Sequence, residues 1–233
     1  LVIIHKREES KFHHYRTKIR FFRSSPGAGD QQSLELQQQV DGGNPYAYFY
    51  LALLKLDSQD FEKAREYARV AAEKSPDDLE IAILQGNILL AQDRTREAID
   101  FILSRMTGEL ATETIGLQMA QALIERENFD AAGVVLNRVL QSNPDSSSGN
   151  FLTGKCQEGE KRPEEALPLY RKAFEILPTK LMYLKACCRV ARKLNDSSSL
   201  DFAEQQRHRF DEVSGFHVMM VQQYLHFGRY DRA

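Results

Sequence analysis

Three cysteines are the side chains of this 233-residue sequence best suited to metal binding or redox chemistry. They are Cys156, Cys187 and Cys188, and no two of them have the Cys-x-x-Cys spacing that zinc sites and dithiol redox centres share. The adjacent pair also falls where a helix would bury small residues. We therefore expect no metal and no other cofactor. Reduced thiols fit a location in the cytoplasm or on the cytoplasmic face of a membrane.

The histidines and carboxylates also lack the spacing of familiar catalytic sites. His5, His13 and His14 lie in a basic tract, where contact with a surface or with lipid headgroups is a commoner role than metal binding. Glu164 and Glu165 stand near a predicted helix start, where carboxylates complement the helix dipole. No phosphate-binding glycine-rich loop, Gly-x-Ser-x-Gly elbow or His-Glu-x-x-His helix occurs. We expect a protein that is not an enzyme and has no small-molecule substrate.

Composition excludes several further classes of protein. With 42% hydrophobic residues the chain is too apolar to be disordered, and it has no 18-residue apolar run that could cross a bilayer. A formal net charge of −2 argues against a dedicated nucleic-acid binder. These features are typical of a soluble, folded protein.

The charge is distributed unevenly along the chain. Residues 1–25 hold seven basic and two acidic residues, a formal charge of +5, whereas the remainder holds 24 bases and 31 acids, a charge of −7. Small residues and a proline at 24–29 indicate a flexible linker. We expect a basic segment with its linker over 1–29, a short helix or lead-in over 30–44, and a separate domain over 45–233.

The basic segment has the pattern of an amphipathic helix suited to an anionic membrane surface. Its apolar residues have helical spacings of 3, 4 and 3, and basic residues flank them; the residues predicted to meet the membrane are Phe12, Tyr15, Arg16, Ile19, Arg20 and Phe22. Residues 1–4 are apolar but rise only about 6 Å as helix, so they would be the last turn of a membrane-spanning helix that starts upstream. Two alternatives stay open: the aromatic stripe packs on the rest of the protein, or the segment contacts nucleic acid.

A period of 34 residues runs through the larger segment. An alanine recurs at this interval, and a second small residue precedes each alanine by twelve positions: Ala52 and Ala64, Gly86 and Ala98, Ala120 and Ala132, Gly154 and Ala166. Proline follows three of these alanines by twelve positions, at Pro76, Pro144 and Pro178. A period of this length predicts stacked supersecondary units.

These residues resemble the tetratricopeptide repeat family, whose 34-residue pattern places a small residue in the first helix, alanine in the second and proline at the end. The resemblance implies an all-α fold, a right-handed solenoid of antiparallel helix pairs. Four clear repeats begin at Pro45, Leu79, Glu113 and Ser147, and a degenerate fifth begins at Leu181. A truncated sixth begins near Ser214, one residue early.

Some positions depart from the pattern. Pro168 lies inside the second helix of repeat four, so we expect that helix to start late or bend. In repeat five Cys188 takes the small position and Leu200 the place of alanine, and the second helix is expected over 201–210.

The family resemblance implies that the first helices line a concave groove for segments of other proteins. The residues predicted to line it are Tyr46, Phe49, Leu53, Ile83, Asn87, Leu117, Gln121, Phe151, Lys155, Lys185, Arg189 and Arg192. Equivalent positions also carry Glu158, Met182 and Lys193. The groove so drawn is apolar at its N-terminal end and basic at its C-terminal end.

We therefore expect a protein or peptide partner with apolar anchors followed by acidic residues or a carboxylate. We also expect a function as an interaction scaffold that a membrane tethers at its N-terminus. Two alternatives to the groove stay open. A helix over 32–40 would cover Phe49 and Leu53, and Lys185, Arg189 and Arg192 would form one solvated helix face. The Lys/Asn/Lys/Arg set with which some relatives bind a chaperone tail is missing from these positions.

A function of another class also fits the sequence. The chain stops inside its sixth repeat and starts with Leu1, which fits a fragment, so it would serve as the accessory region of a longer enzyme such as a glycosyltransferase, kinase or sulfotransferase.

The membrane hypothesis predicts that the full-length protein sediments with membranes, because its apolar and basic side chains face lipid tails and anionic headgroups together. Cell fractionation measures this. Recovery in the soluble fraction, with no apolar segment upstream of residue 1, would contradict it.

Overall fold

The computed structural model describes residues 45–230 and residue 232. The basic segment and linker at 1–29 and the lead-in at 30–44 lie outside the described residues, as do the expected helix at 32–40 and the predicted membrane-surface residues. Those residues are Phe12, Tyr15, Arg16, Ile19, Arg20 and Phe22, and their membrane role stays a prediction.

Residues 45–230 and 232 form twelve helices and no strand. The helices are α1 (Pro45–Asp57), α2 (Phe61–Lys74), α3 (Leu79–Ala91), α4 (Thr95–Arg105), α5 (Glu109–Glu125), α6 (Phe129–Ser142), α7 (Ser147–Gly159), α8 (Pro163–Ile176), α9 (Leu181–Lys193), α10 (Ser198–Gln205), α11 (Arg207–Phe210) and α12 (Ser214–His226). Consecutive helices pack as pairs. The all-helical fold of repeated helix pairs is confirmed.

The chain divides into two compact units, residues 1–84 and residues 85–233. In the described part of the first unit α1 packs on α2, with Ala52 and Ala64 fully buried. The rings of Tyr48 and Tyr67 lie 6.4 Å apart between the two helices. The second unit contains α4 to α12 and the end of α3.

The small residues lie where two helices approach most closely. A Cβ atom added to Gly154 of α7 would lie 2.8 Å from the Tyr170 ring of α8, and one added to Gly86 would lie 2.4 Å from Met119 Cε and 2.9 Å from Ile102 Cδ1. The repeated alanines Ala64, Ala98, Ala132 and Ala166 are fully buried. At Gly154 a larger side chain would meet the ring of the buried Tyr170, so the close packing of α7 on α8 requires a small residue there.

The turn inside each repeat has one backbone conformation. Its key residue has a φ between 54° and 61°, in the left-handed region, at Gln59, Asp93, Glu127, Lys161 and Asn195, which are spaced by 34 residues. Gly228 follows 33 residues later with a φ of 72°. The N–H of the next residue bonds to a carbonyl five residues back, as from Asn128 to Leu123 at 2.9 Å. This bond is part of the Schellman motif, which satisfies carbonyl groups left over at a helix end.

Helix α5 begins earlier than its equivalents. In repeats one, three and four a proline follows the second helix, and the next first helix begins three residues after that proline, at Leu79, Ser147 and Leu181. Leu110 takes the proline place in repeat two, and the helix begins at Glu109. Proline would exclude the preceding residue from the helix, whereas leucine allows it to join.

Two expectations about the later helices need correction. Helix α8 begins at Pro163 and contains Pro168, so the expected late start is wrong, and the alternative, a bend at Pro168, stays a prediction. The first turn of a helix accepts Pro163 because backbone N–H groups there have no helical partner, so the N–H that proline lacks is not missed. Pro168 lies further along and removes one backbone hydrogen bond from the helix. The second helix of repeat five is α10 followed by the single turn α11, rather than one helix over 201–210.

Replacement of glycine by alanine should have opposite effects on stability at Gly154, which lies against α8, and at Gly133, which has open space around it. Gly154→Ala should lower the free energy of unfolding by about 1–3 kcal/mol, because its methyl group meets the buried Tyr170 ring. Gly133→Ala in α6 should raise it by about 0.5–1 kcal/mol, because a Cβ there meets nothing within 4 Å and alanine favours helix. Urea denaturation measures both. Equal effects of one sign would contradict the packing argument.

Candidate functional site

One face of α9 carries a row of exposed side chains. Met182, Lys185, Arg189 and Lys193 have spacings of 3, 4 and 4, which place them along one side of the helix. The opposite side is buried and apolar; its residues are Tyr183, Leu184, Ala186, Cys187, Cys188, Val190 and Ala191. Burial of that side fixes the rotation of α9 and presents the row to solvent.

An ion-pair cluster joins this row to the neighbouring first helix, α7. Glu158 Oε1 accepts hydrogen bonds from Arg189 Nη1 and from Lys193 Nζ, the latter at 2.8 Å, while Glu158 Oε2 accepts one from the Tyr170 hydroxyl at 3.0 Å. The Glu158 side chain is 14% exposed, against 46% for Arg189 and 55% for Lys193. A nearly buried carboxylate thus holds two half-exposed cations.

Charge and burial both act on the ionisation of this cluster. Burial alone would raise the pKa of Glu158, but hydrogen bonds from Lys193 and Arg189 outweigh it and hold the pKa below its ordinary value of 4.5. Burial and the charge of Glu158 raise the pKa of Tyr170. Burial opposes the charge of Arg189, yet its bond to Glu158 raises its pKa. All three groups keep their ordinary charge at neutral pH.

Contacts on both sides of α9 extend the surface to α7 and α12. The Phe151 ring of α7 lies 4.7 Å from the Tyr183 ring of α9. Lys185 lies against the first turn of α12, because a Cβ added to Gly215 would lie 2.7 Å from Lys185 Nζ. On α12, Val218, Val221 and Leu225 are exposed. We call the exposed side chains Met182, Lys185, Arg189, Lys193, Val218 and Leu225 the α9–α12 surface.

The structure brings together only part of the predicted groove. Phe151, Lys185 and Arg189 belong to first helices that contact one another. Arg192 is half-buried, with its Nη1 atom buried, and it is Lys193 that joins Arg189 on Glu158. Lys155 is half-buried on α7.

The remaining predicted groove residues lie on earlier first helices. Phe49 and Ile83 are buried, whereas the others are half-buried: Tyr46, Leu53, Asn87, Leu117 and Gln121. Gln121 Nε2 donates to Glu125 Oε1 at 2.6 Å within α5. Their role in binding stays a prediction.

Sequence reasoning placed Glu158, Arg189 and Lys193 on first helices but missed that they pair. Their separation in the sequence could have indicated the pairing. Arg189 and Lys193 follow Glu158 by 31 and 35 positions, and residues about one period of 34 apart are neighbours in the stack. Tyr170 was missed because it lies on a second helix.

The cysteines lie in the interior and are not reactive nucleophiles. Burial raises the pKa of the Cys156 thiol to about 11 and the pKa values of Cys187 and Cys188 to about 12. Thiols with such values are not thiolates at neutral pH. Within the described ranges no three His, Cys, Asp or Glu side chains are grouped to hold a metal.

None of the helices in the part of the chain that the structure describes has the length and hydropathy needed to cross a membrane.

A protein-family model matches two stretches of the chain. The model of the family described as tetratricopeptide repeat matches residues 47–105 and 117–179, which together are more than half of the chain. No curated protein matches the sequence.

Solved structures share the fold at low sequence identity. Yeast Tom70 superposes with a TM-score of 0.58 at 12% identity, over 86% of this chain and 44% of that chain. A tetratricopeptide repeat protein from Parabacteroides merdae gives 0.50 at 16%, over 87% and 76%. MamA from Desulfovibrio magneticus gives 0.49 at 16%, over 73% and 97%.

The depressed pKa of Glu158 predicts a pH dependence of stability. Its ion pairs contribute fully above the unfolded pKa near 4.5 and are lost as pH falls through the lower folded value. The difference in free energy of unfolding between the natural protein and Glu158→Gln should therefore be constant from about pH 7 to about pH 5.5 and shrink in more acidic solution. Urea denaturation over this range measures it.

The matched control repeats Glu158→Gln in a chain that already carries Arg189→Gln and Lys193→Gln. The pH dependence should be smaller there, because the cations that lower the pKa are gone. A difference that does not change with pH in the natural background would contradict the assignment.

Proposed function

Because this chain belongs to the tetratricopeptide repeat family, we propose that it is a protein-interaction scaffold, with no catalysis of its own, that holds a segment of another protein on the first helices of its repeats. The compact unit of residues 85–233 supplies the binding surface.

The distribution of exposed apolar side chains is the observation that carries this proposal. Eight large apolar residues are exposed in the described part of the chain, and six of them lie between 182 and 230: Met182, Val213, Val218, Val221, Leu225 and Tyr230. Three of these residues, Val218, Val221 and Leu225, lie within two turns of α12, and the first turn of that helix contacts Lys185 of the basic row on α9. Exposed apolar side chains next to charged ones are typical of a protein-binding site.

The hydrogen bonds of the ionisable groups between helices support a role in binding rather than in catalysis. Glu158, Tyr170 and Arg189 use their hydrogen bonds to join α7, α8 and α9. Such ion-pair networks perturb pKa values for structural reasons. They also fix the relative positions of two first helices, which a rigid docking surface needs.

Tethering to a membrane is the finer part of the proposal. It rests on the spacing of Phe12, Tyr15, Ile19 and Phe22 among basic residues in the sequence. An anchored basic segment would hold the scaffold at an anionic surface on the cytoplasmic side.

Site-directed photo-crosslinking tests the scaffold function. A photoreactive phenylalanine analogue in place of Met182, which is 54% exposed on α9, should give a discrete covalent adduct with one partner protein in cells. The same analogue in place of Val134, which is 52% exposed on α6, should not. Mass spectrometry of the adducts identifies the partner. Equal adducts at both positions would mean non-specific contact and would contradict the proposal.

A further inference from the structure

Resting on the proposed scaffold function, we propose that the α9–α12 surface binds an acidic segment whose carboxylate lies between apolar residues, and that Glu158 competes with this carboxylate for Arg189 and Lys193. The occupant is a protein segment of this chemistry, and Glu158 sets how tightly it is held.

The cluster carries an excess of positive charge. Arg189 and Lys193 share one described acidic partner, Glu158, and Lys185 adds a third cation on the same face of α9. Together these three cations and one carboxylate carry a net charge of +2, whereas the whole chain has a formal net charge of −2. Charge complementarity therefore favours an anionic group at this position.

The cations also keep donors that Glu158 does not use. A guanidinium has five N–H donors and an ammonium has three, whereas Glu158 takes one hydrogen bond from each. Arg189 also interacts with the Tyr170 hydroxyl, but Arg189 and Lys193 are each about half exposed, so both cations can be reached from solvent. Glu158 thus occupies part of the hydrogen-bonding capacity of two cations that a second carboxylate can reach.

Exposed apolar side chains lie on the helix that carries the cations and on the neighbouring helix α12. Met182 precedes Arg189 by seven residues along α9, which is about 10 Å of helix. Val218 and Leu225 lie on α12, whose first turn contacts Lys185. Since an extended chain advances about 3.3 Å per residue, an apolar anchor about three residues from the acidic residue would reach Met182.

This combination favours a protein segment over a phosphate-rich partner. Nucleic acid and lipid headgroups would satisfy the cations, but their phosphates would lie against Met182, Val218 and Leu225 without matching those side chains. A peptide supplies both the carboxylate and the apolar anchors.

Glu158 acts against that partner because it stays ionised and stays in place. The hydroxyl of Tyr170 holds its second oxygen at 3.0 Å, and its side chain is nearly buried. A partner carboxylate bound to Arg189 is therefore repelled by the negative charge of Glu158. Replacing Glu158 by glutamine keeps the shape and an acceptor oxygen but removes that repulsion.

The test uses the full 233-residue chain and three fluorescent synthetic peptides. The first has the core Leu-Ser-Ser-Glu-Glu-Ser-Ser-Leu, the second replaces both Glu by Gln, and the third replaces both Leu by Ser. Fluorescence anisotropy measures their dissociation constants. The first peptide should bind more tightly than either of the others.

Three variants locate the binding site. Glu158→Gln should tighten binding of the acidic peptide by about three- to tenfold, and the gain should fall with added salt. The double variant Arg189→Gln with Lys193→Gln should weaken it by about tenfold or more. Lys172→Gln removes a cation that bonds the Pro144 carbonyl at 2.9 Å and should leave binding unchanged. Circular dichroism checks that each variant is folded.

Several results would overturn the inference. One is equal binding of the acidic and Gln-substituted peptides, and another is a folded Glu158→Gln variant with no gain. A third is a gain for phosphatidylserine vesicles but not for the peptide, which would assign the cations to a lipid surface. If the peptides fail while crosslinking at Met182 remains specific, the scaffold function stands and this inference alone falls.

Discussion

The close approach of two helices within each repeat is the constraint on which the rest of the structure depends. Gly154 leaves no room for a methyl group beside the Tyr170 ring, and Gly86 leaves none beside Met119 and Ile102. A second helix that packs at this distance brings a buried alanine, such as Ala166, into the contact. The pair then presents its outer residues in fixed directions, because its inner ones cannot rotate without a clash.

The spacing between repeats gives the surface its chemistry. Residues separated by nearly one period become neighbours on consecutive first helices, and this is how Glu158 meets Arg189 and Lys193. Their contact needs no special loop, since Glu158 lies near the end of one first helix and Lys193 at the end of the next. The exposed charges of α9 thus follow from the same stacking that buries Cys187 and Cys188 on its opposite side.

Periodic features of the structure could be predicted from the sequence, and local departures could not. The small residues and the repeated alanines are read directly, because packing tolerates nothing larger at those positions. The early start of α5 and the break between α10 and α11 depend on a few local residues, on which the period has no influence. The pairing of Glu158 depends on side-chain direction, so sequence positions alone place Arg192 and Lys193 equally well in a groove. The hydrogen bond from Lys193 to Glu158 distinguishes the two in the structure.

The uniform turns bear on how such a chain changes length over evolution. Their left-handed residue and the bond five residues back fix the number of residues in each turn, so duplication or loss of a whole period leaves every turn intact. The gain or loss of a single residue has to be accommodated outside the turns. The interval of 33 residues from Asn195 to Gly228 is such a case: the missing residue falls in the segment that holds the broken second helix α10–α11, and the turns at both ends keep their geometry. The second helices, rather than the turns, are the part of this architecture that accommodates irregular growth.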